Sequence, residues 1–171
     1  MIREILTYPN RKLHQKSTDV KIFDSTLHEL LDDMYETMIA KNGVGLAAIQ
    51  IGVPLNILII NPIDNDGNQK KEDLLEVINP TILEKSGEIV YNEGCLSVPK
   101  FYEDVIRASY LKVEFLNRYG ETCEIIAEDF LAVAFQHEID HLNGKLFIER
   151  LTMLKRKKFE KEQKKISKPK R

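Results

Sequence analysis

The sequence lacks a long apolar run and contains few cysteines. No stretch approaches the roughly 20 apolar residues that a membrane-spanning helix requires. The apolar stretch near Ile5-Leu6 is too short for a secretory signal, and Tyr8-Pro9-Asn10 follows it directly. The two cysteines, Cys95 and Cys123, do not make a disulfide framework. These absences predict a soluble, cytoplasmic protein without a membrane contact.

The charge is distributed unevenly along a chain of single-domain size. With 171 residues, 43% of them apolar, the sequence can form one globular domain with a substantial core. Its net charge is −2, but positions 155–171 contain ten lysines or arginines and two glutamates, or +8, which leaves −10 for positions 1–154. We therefore expect a domain over 1–154 and a basic tail over 155–171. The sparse apolar residues of the tail predict a weakly docked helix, which either aids solubility or contacts an anionic surface such as RNA.

The spacing of apolar residues predicts two long helices with strands between them. The first helix begins at Asp24 or Ser25 and ends at Asn42-Gly43, and the second spans 127–142. Short β-like runs separated by turn signals lie at 56–60, 74–78, 88–91, 105–110 and 112–116. This order predicts an α+β fold of mostly antiparallel sheets packed around the second helix, with an N-terminal helix and a basic C-terminal helix.

The most informative motif, His137-Glu138-Ile139-Asp140-His141, lies on the second predicted helix. Residues four positions apart in an α-helix share a face, so the two imidazoles can converge on one metal ion. The glutamate would lie beside the ion, where it can take a proton from a metal-bound water. Such a pattern also occurs by chance on solvated helices. The apolar flanks predict a buried helix, however, and there a shared cation would offset the cost of burying these groups.

A catalytic site of this kind usually has three protein ligands. Besides several carboxylates, the candidates for the third are Cys95, Cys123, His14 and His28. Cys95 is favoured because Gly and Pro bracket a tight extended segment that can present its thiolate and the backbone N–H that follows. Cys123 falls in an alternating strand and is predicted to be a core thiol. For His14 and His28 a surface position is favoured.

A third segment, 43–52, is rich in glycine but is not a nucleotide-binding loop. It lacks the Lys-Ser/Thr of a phosphate loop and the G-x-G-x-x-G spacing of a dinucleotide site. Its glycines would let the backbone approach an extended ligand, and Gln50 offers a neutral amide donor. A plain helix-to-strand connection is the alternative interpretation of this segment taken alone.

Together these segments resemble the three motifs of the peptide deformylases. The motifs are GVGLAAIQ at 43–50, EGCLSVP at 93–99 and QHEIDH at 136–141, and the similarity extends from Tyr8-Pro9 to about Leu154. Three motifs in this order are far more specific than any one of them. The resemblance implies that 1–154 is a catalytic metallohydrolase domain.

The resemblance also implies a catalytic role for particular residues. The metal ligands would be Cys95, His137 and His141. Glu138 would act as general base and then general acid while a metal-bound water attacks the formyl carbon. Gln50 and the backbone N–H of Leu96 would stabilise the negative charge that develops on the formyl oxygen.

Substrate contacts are implied in the same way. Gly45 would pair with the substrate backbone. The unbranched methionine side chain would occupy a pocket formed by Val44, Phe130, Val133 and the His137 ring edge. An ion pair between Glu93 and Arg107 would support the site. The polar segment 63–73 resembles an exposed hairpin loop and is longer than in compact members.

The implied reaction is removal of the formyl group from N-formyl-methionine at the start of new polypeptides, with release of formate. One divalent ion is expected, Fe2+ first, with Zn2+, Ni2+ or Co2+ able to substitute. Expected partners are nascent formyl-methionyl peptides and, transiently through the basic tail, the ribosome; the chain is expected to be a monomer. Two alternatives are another Cys/His metal-dependent peptidase and a non-catalytic ribosome- or RNA-associated protein with a structural metal.

Overall fold

A computed structural model describes residues 1–167, which contain three α-helices and seven strands. The helices are α1 (Ser25–Ala40), α2 (Phe130–Leu142) and α3 (Met153–Ser167). The strands are β1 (Gly45–Ala47), β2 (Ile57–Ile60), β3 (Leu75–Ser86), β4 (Ile89–Cys95), β5 (Val98–Arg107), β6 (Tyr110–Leu116) and β7 (Thr122–Glu128). Short 3-10 helices lie at Arg11–His14, Ala48–Ile51, Lys71–Asp73 and Phe147–Arg150. Positions 168–171 of the predicted tail lie outside the described residues.

The strands form two separate sheets. Five strands make one sheet in the order β1-β2-β3-β6-β7, and β4 pairs with β5 in a two-stranded sheet. Neighbouring strands are antiparallel in both sheets. The predicted α+β class with mostly antiparallel sheets is therefore confirmed. None of the helices within 1–167 is long and apolar enough to cross a membrane.

Both long helices pack on the five-stranded sheet, one on each face. Successive side chains of a strand point to opposite faces, and every residue of β2 is buried. Ile57 and Ile59 contribute to the cluster that contains α1, whereas Leu58 and Ile60 contribute to the cluster that contains α2. Because α2 lies against one face of a fully buried strand, its polar residues are enclosed by the fold.

A third cluster joins the two-stranded sheet to the C-terminal helix. It includes Val98 and Phe101 of β5, Phe147, and Phe159 of α3. Phe159 is only 1% exposed, while Leu154 and Ile166 are 80% and 66% exposed. Met153, the fourth apolar residue of this helix, is 76% exposed, so Phe159 is the one that docks it.

Several element boundaries differ from those predicted: β3 continues to Ser86 rather than position 78, and β4 to Cys95 rather than position 91. Helix α2 begins at Phe130 rather than at position 127, because β7 continues to Glu128 and Asp129 adopts a positive φ of 52°. The predicted strand over 105–110 is divided between β5 and β6. The division has a physical reason, since the backbone N–H and carbonyl of Ala108 bond to the side chain of Gln136 on α2.

Candidate active site

Helix α2 brings the two histidines of the motif together. His137 and His141 are one turn apart, and their Nε2 atoms are separated by 3.3 Å. His141 is fully buried and His137 is nearly so, because the apolar neighbours of the motif pack α2 against the sheet. Burial lowers the pKa of His141 well below its ordinary value. His141 is therefore held as the neutral imidazole, which is the form that binds a metal ion.

Cys95 reaches the histidines from the other sheet. It is the last residue of β4, and a two-residue turn at Leu96-Ser97 leads into β5. Its Sγ lies 3.4 Å from Nε2 of His141. The ligand atoms of Cys95, His137 and His141 all lie within 4.8 Å of one another. The three predicted ligands are thus brought together, although Cys95 lies on the two-stranded sheet and the two histidines lie on α2.

The spacing of these atoms suits a tetrahedral ion. Metal–nitrogen bonds of about 2.0–2.1 Å and a metal–sulfur bond of about 2.3 Å would separate the two nitrogens by about 3.3 Å and sulfur from nitrogen by about 3.6 Å. The observed separations are 3.3 Å and 3.4 Å. Within residues 1–167 the group has three members, which leaves a fourth position for water or substrate. The donor set therefore fits an open, catalytic metal site.

A buried ion pair orients His137. Glu93 on β4 accepts a hydrogen bond from Nδ1 of His137 at 2.9 Å. The same carboxylate receives two bonds from Arg107, at 2.7 and 2.9 Å, so the predicted Glu93–Arg107 pair is confirmed. Burial alone would raise the pKa of Glu93, but the bonds from Arg107 and His137 hold it below its ordinary value. The ionised carboxylate directs Nε2 of His137 towards Cys95 and His141.

The Glu93–Arg107 ion pair is part of a larger network of buried charges, which was not predicted from the sequence. Arg107 also donates to Asp140 at 2.7 Å, and Arg150 donates to both oxygens of Asp140 at 2.8 and 3.1 Å. Asp140 lies inside the motif and could have been suspected from its position between the histidines. Arg150 carried no local signal, since its role depends on the 3-10 helix Phe147–Arg150 returning to α2.

Glu138 lies beside both imidazoles without competing for the ion. Its Oε1 is 3.8 Å from Nε2 of His137 and 4.0 Å from Nε2 of His141. The residue is 2% exposed, and its Oε2 has no hydrogen-bond partner among the described residues. Burial raises the pKa of Glu138 to about 7. A carboxyl group with such a pKa can accept and return a proton at neutral pH.

Gln50 is fixed at the edge of the site by its own hydrogen bonds. Its Oε1 accepts from the backbone N–H of Ala47 at 2.9 Å, and its Nε2 donates to Oγ of Ser97 at 3.0 Å. The same Nε2 lies 3.6 Å from Sγ of Cys95. The amide orientation is therefore set. Ser97, which sets it, was not among the predicted site residues.

A cavity of about 390 Å³ opens over these groups. Nine of the ten residues predicted for the site line it, and the tenth, His141, is fully buried. One wall of the cavity is formed by Val44 and by Gly45, the first residue of β1. An aromatic part of the wall is formed by Phe130, whose ring centroid lies 5.6 Å from that of Tyr91. Tyr91, Lys100 and Tyr102 also line the cavity and were not predicted.

The other candidate ligands lie elsewhere. Cys123 is a free thiol packed against the main core cluster, as predicted. His14 is exposed and bonds to the carbonyl of Gly144, and His28 bonds to the carbonyl of Arg118. A second cavity, of about 450 Å³, lies on a different face of α2 and contains none of the three ligand atoms.

The fold and a possible metal site of two histidines and one cysteine are typical of a metal-dependent hydrolase. The family model described as polypeptide deformylase matches residues 2–157. A peptide deformylase from Wolinella succinogenes is 60% identical over 161 residues, which cover 94% of this chain and 95% of the relative. The crystal structure of a peptide deformylase from Legionella pneumophila is 42% identical with a TM-score of 0.85, covering 99% of this chain and 100% of that one.

A third comparison has a bound ligand. The crystal structure of the Ehrlichia chaffeensis peptide deformylase in complex with actinonin is 36% identical with a TM-score of 0.87, covering 98% of this chain and 99% of that one. The chain belongs to the polypeptide deformylase family. It is a hydrolase that removes the N-formyl group from newly made polypeptides.

Proposed function

We propose that this chain releases formate from N-formyl-methionine with Cys95, His137 and His141 holding one divalent ion and Glu138 transferring the protons. The observation that carries this assignment is the convergence of the three ligand atoms, within 4.8 Å of one another, beside the Glu138 carboxylate. We propose Fe2+ as the working ion, with Zn2+, Ni2+ or Co2+ able to substitute. The order of intrinsic affinities would favour zinc or nickel in a purified sample.

The ion supplies Lewis acidity, which activates a water and polarises the formyl oxygen. The residues around it hold the ligands ready. Cys95 would bind the ion as a thiolate, His141 is kept neutral by burial, and Glu93 fixes the tautomer and direction of His137. This division of roles means that the ligand atoms need little rearrangement before an ion can bind.

Glu138 is the proton carrier in this proposal. Its buried carboxylate would accept a proton from the attacking water and later deliver that proton to the departing amine nitrogen. Its pKa of about 7 suits both steps, because a group matched to the working pH gives up a proton nearly as readily as it takes one. The result is formate and a free amino terminus.

Gln50 and the backbone N–H of Leu96 would stabilise the oxyanion. One N–H of the Gln50 amide is bonded to Ser97, and the other has only the long 3.6 Å contact with the Cys95 sulfur. That second N–H is therefore available to a stronger acceptor placed along its direction, while the short bonds to Ala47 and Ser97 stay in place. Leu96 begins the two-residue turn after Cys95, so its N–H lies close to the same sulfur. One such donor typically stabilises the transition state by about 3–4 kcal/mol.

The substrate would lie along β1. This strand is at the edge of the five-stranded sheet, so the free side of its backbone can pair with an extended peptide. Gly45 has no side chain to obstruct that approach. The methionine side chain would then fill the apolar part of the cavity between Val44, Phe130 and Val133.

The test is a formate assay on formyl-Met-Ala-Ser with the wild-type chain, Glu138→Ala and Glu128→Ala, each purified without oxygen and analysed for metal. We expect wild type and Glu128→Ala, which changes an exposed residue of β7, to release formate equally. Glu138→Ala should lose activity by at least about 1,000-fold while keeping its metal, because the proton carrier is lost and the ligands are not.

Other results would indicate other functions. Cleavage of unblocked or internal peptide bonds without formate release would indicate a metallopeptidase. Salt-sensitive RNA binding by Cys95→Ala, together with no hydrolysis by wild type, would indicate a binding protein with a structural metal. Full activity in Glu138→Ala would remove the proposed role of this residue.

A ligand of the family provides a second test. Actinonin is bound in the Ehrlichia chaffeensis structure. At about 100 times its Kd, a ligand that binds the folded state alone stabilises it by about 2.7 kcal/mol, or roughly 5–10 °C in Tm for a chain of this size. We expect a shift of that size for the metal-loaded wild type. Cys95→Ser, which removes the thiolate, should show a much smaller one.

Helix α3 would provide the ribosome contact of a monomeric, cytoplasmic enzyme. Over 155–165 it carries seven lysines or arginines and two glutamates. We expect the triple variant Lys157→Glu, Lys161→Glu and Lys165→Glu, all exposed, to lose cosedimentation with ribosomes while keeping formate release from the free peptide. Unchanged cosedimentation in low salt would exclude this contact.

A further inference from the structure

The segment between β2 and β3 is an ordered turn built around Asp64. The Asp64 carboxylate accepts hydrogen bonds from the backbone N–H groups of Asp66 and Asn68, at 2.9 and 2.8 Å. Its backbone N–H donates to the carbonyl of Asn68, and its carbonyl accepts from Gly67. These four bonds close the turn on itself. The residue that follows, Gln69, therefore has a fixed starting point.

Gln69 points back from this turn towards the cavity. It is half-buried, and its Nε2 donates to the carbonyl of Gly43 at 3.0 Å and to the carbonyl of Asn61 at 2.8 Å. Both N–H groups of the amide are thus used on two different backbone segments. The side chain joins the end of β2 to the stretch that precedes β1.

The same stretch is held at two further points. The backbone N–H of Asn61 donates to the carbonyl of Val44 at 2.8 Å, and the Asn61 side chain donates to the carbonyl of Lys70. In addition, a Cβ at Gly43 would lie 2.7 Å from Cδ1 of Leu96. The Gly43 backbone is therefore held by the Gln69 amide at its carbonyl and by the Met38 carbonyl at its N–H, with Leu96 close to its Cα.

Positions 43–45 line the cavity, and their backbone is the surface that an extended substrate would meet. Without the bond from Gln69, the Gly43 carbonyl would lose the side-chain donor that fixes it to the end of β2. In the free protein, the backbone of 43–45 would then adopt more conformations. Ordering it when a peptide binds would lower the affinity for that peptide. The effect would fall on binding, because neither Gln69 nor Gly43 touches the three ligand atoms or Glu138.

We propose that Gln69 is a positioning residue for substrate binding, which holds the wall at 43–45 in the conformation that an extended formyl-methionyl peptide requires. This inference rests on the proposed function. It assigns a role to the polar segment 63–73, whose sequence indicated only an exposed loop.

The experiment compares Gln69→Met with Gln15→Met. Methionine keeps the length of glutamine and removes the donor, and Gln15 is an exposed glutamine outside the cavity. In Gln69→Met we expect KM for formyl-Met-Ala-Ser to rise about three- to tenfold, the range for one or two neutral hydrogen bonds, with kcat within twofold of wild type. Gln15→Met should match wild type in both constants.

Two further measurements separate positioning from a merely structural role. In the Glu138→Ala background, the Kd of formyl-Met-Ala-Ser by calorimetry should rise by the same factor when Gln69→Met is added. The amide of Asn61, whose bond to Val44 reports on the wall, should exchange its hydrogen at least about threefold faster in Gln69→Met and no faster in Gln15→Met.

An unchanged KM and Kd in Gln69→Met would overturn the proposal, whether or not Tm or exchange changes, because Gln69 would then only hold the loop. A fall in kcat at constant KM would overturn it as well. If wild type itself releases no formate, the proposed function fails. If wild type is active and Gln69→Met binds peptide normally, only the positioning role fails.

Discussion

Arg107 is the single residue that links most parts of the site. Its side chain, 4% exposed, pairs with Glu93 on β4 and with Asp140 on α2. Through Glu93 it fixes His137, and through Asp140 it fixes the helix that carries both imidazoles. Removing one member of a buried ionic group is costly because the charges left behind have no partner. The geometry of the ligands therefore depends on a residue that does not touch the metal position.

We expect Arg107→Met to lower the free energy of unfolding by about 3–5 kcal/mol, since it removes the cation that two buried carboxylates share and leaves Glu93 with His137 alone and Asp140 with Arg150 alone. Arg118→Met is the matched control. Arg118 also contacts two carboxylates, Glu76 and Asp32, but Asp32 is 60% exposed, and we expect a loss of about 1 kcal/mol. Urea unfolding in the presence of a chelator measures both. Equal losses would contradict the distinction between buried and exposed pairs.

Gly45 is the second residue on which the site geometry depends. A Cβ at this position would lie 3.1 Å from the carboxyl carbon and from Oε2 of Glu138, so Gly45→Ala should displace the proton carrier. We expect kcat to fall about 10- to 100-fold, the usual effect of a small misplacement of a catalytic group, with stability changed by less than about 1 kcal/mol.

The matched glycine is Gly67, which has φ of 82° and no atom within 4 Å of a built Cβ. Gly67→Ala should cost about 1 kcal/mol of stability through backbone strain and leave kcat unchanged. Formate kinetics and urea unfolding of the two variants provide the comparison. A similar kcat for Gly45→Ala and wild type would show that Glu138 can move aside freely.

At the scale of elements, helix α3 is attached to the domain more firmly than its basic sequence predicts. Its sequence is strongly basic, yet one aromatic ring inserts between others: Phe159 meets Phe101 at 4.8 Å and Tyr8 at 5.1 Å between ring centroids. Outside this ring, Glu103 on β5 contacts Lys155 and Lys158 at 3.6 Å each. The helix is thus fastened by one apolar anchor and a pair of ionic contacts. The division of the chain between 154 and 155 remains a prediction.

Phe159→Ala should destabilise the protein by about 3–5 kcal/mol, as for other buried phenylalanines. Ile166→Ala changes an apolar residue of the same helix that is 66% exposed, and it should have an effect within about 0.5 kcal/mol. Urea unfolding followed by circular dichroism measures the two. A small loss in Phe159→Ala with a separate early transition would show that α3 unfolds on its own.

The fold class was predicted from local signals and is confirmed, whereas the ten site residues were predicted from the resemblance of three motifs; nine of them line one cavity, and their roles remain predictions. Helical spacing located α1 and α2, and the three motifs contain part of the cavity lining, whereas Tyr91, Lys100 and Tyr102 lie outside them. What could not be predicted depends on contacts between distant segments. The Arg150–Asp140 bonds, the Ser97–Gln50 bond and the return of Gln69 to Gly43 join residues 10 to 47 positions apart, without a repeated spacing that a sequence would display.

For the molecule as a whole, the charged groups set the response to acid. Asp33 on α1 is 4% exposed, and the hydrogen bonds from the Met1 ammonium and then from Arg3 lower its pKa. A carboxylate whose pKa is lowered by folding contributes stability that is fully present above its ordinary pKa of about 4. That stability is lost as the pH falls through the lowered pKa of the folded state.

We therefore expect Asp33→Asn to cost about 2 kcal/mol at pH 7 and the same at pH 5, and progressively less below about pH 4. The neighbouring Asp32→Asn, at a position 60% exposed, should cost less than about 1 kcal/mol. Unfolding curves at several pH values between 2.5 and 7, about one unit apart, would measure the difference. A cost for Asp33→Asn that does not change with pH would contradict the ionic origin of the effect.

Cys95, on the two-stranded sheet, and His141, on helix α2, are 46 positions apart. An ion that binds both acts as a cross-link, closing a loop of the chain much as a disulfide does, and for a loop of this length the entropic gain is about 4 kcal/mol. The ion that serves catalysis would then also stabilise the folded state. Chelation should release the β4–β5 hairpin from α2 before the rest of the protein unfolds, and hydrogen exchange along β4 would record the opening.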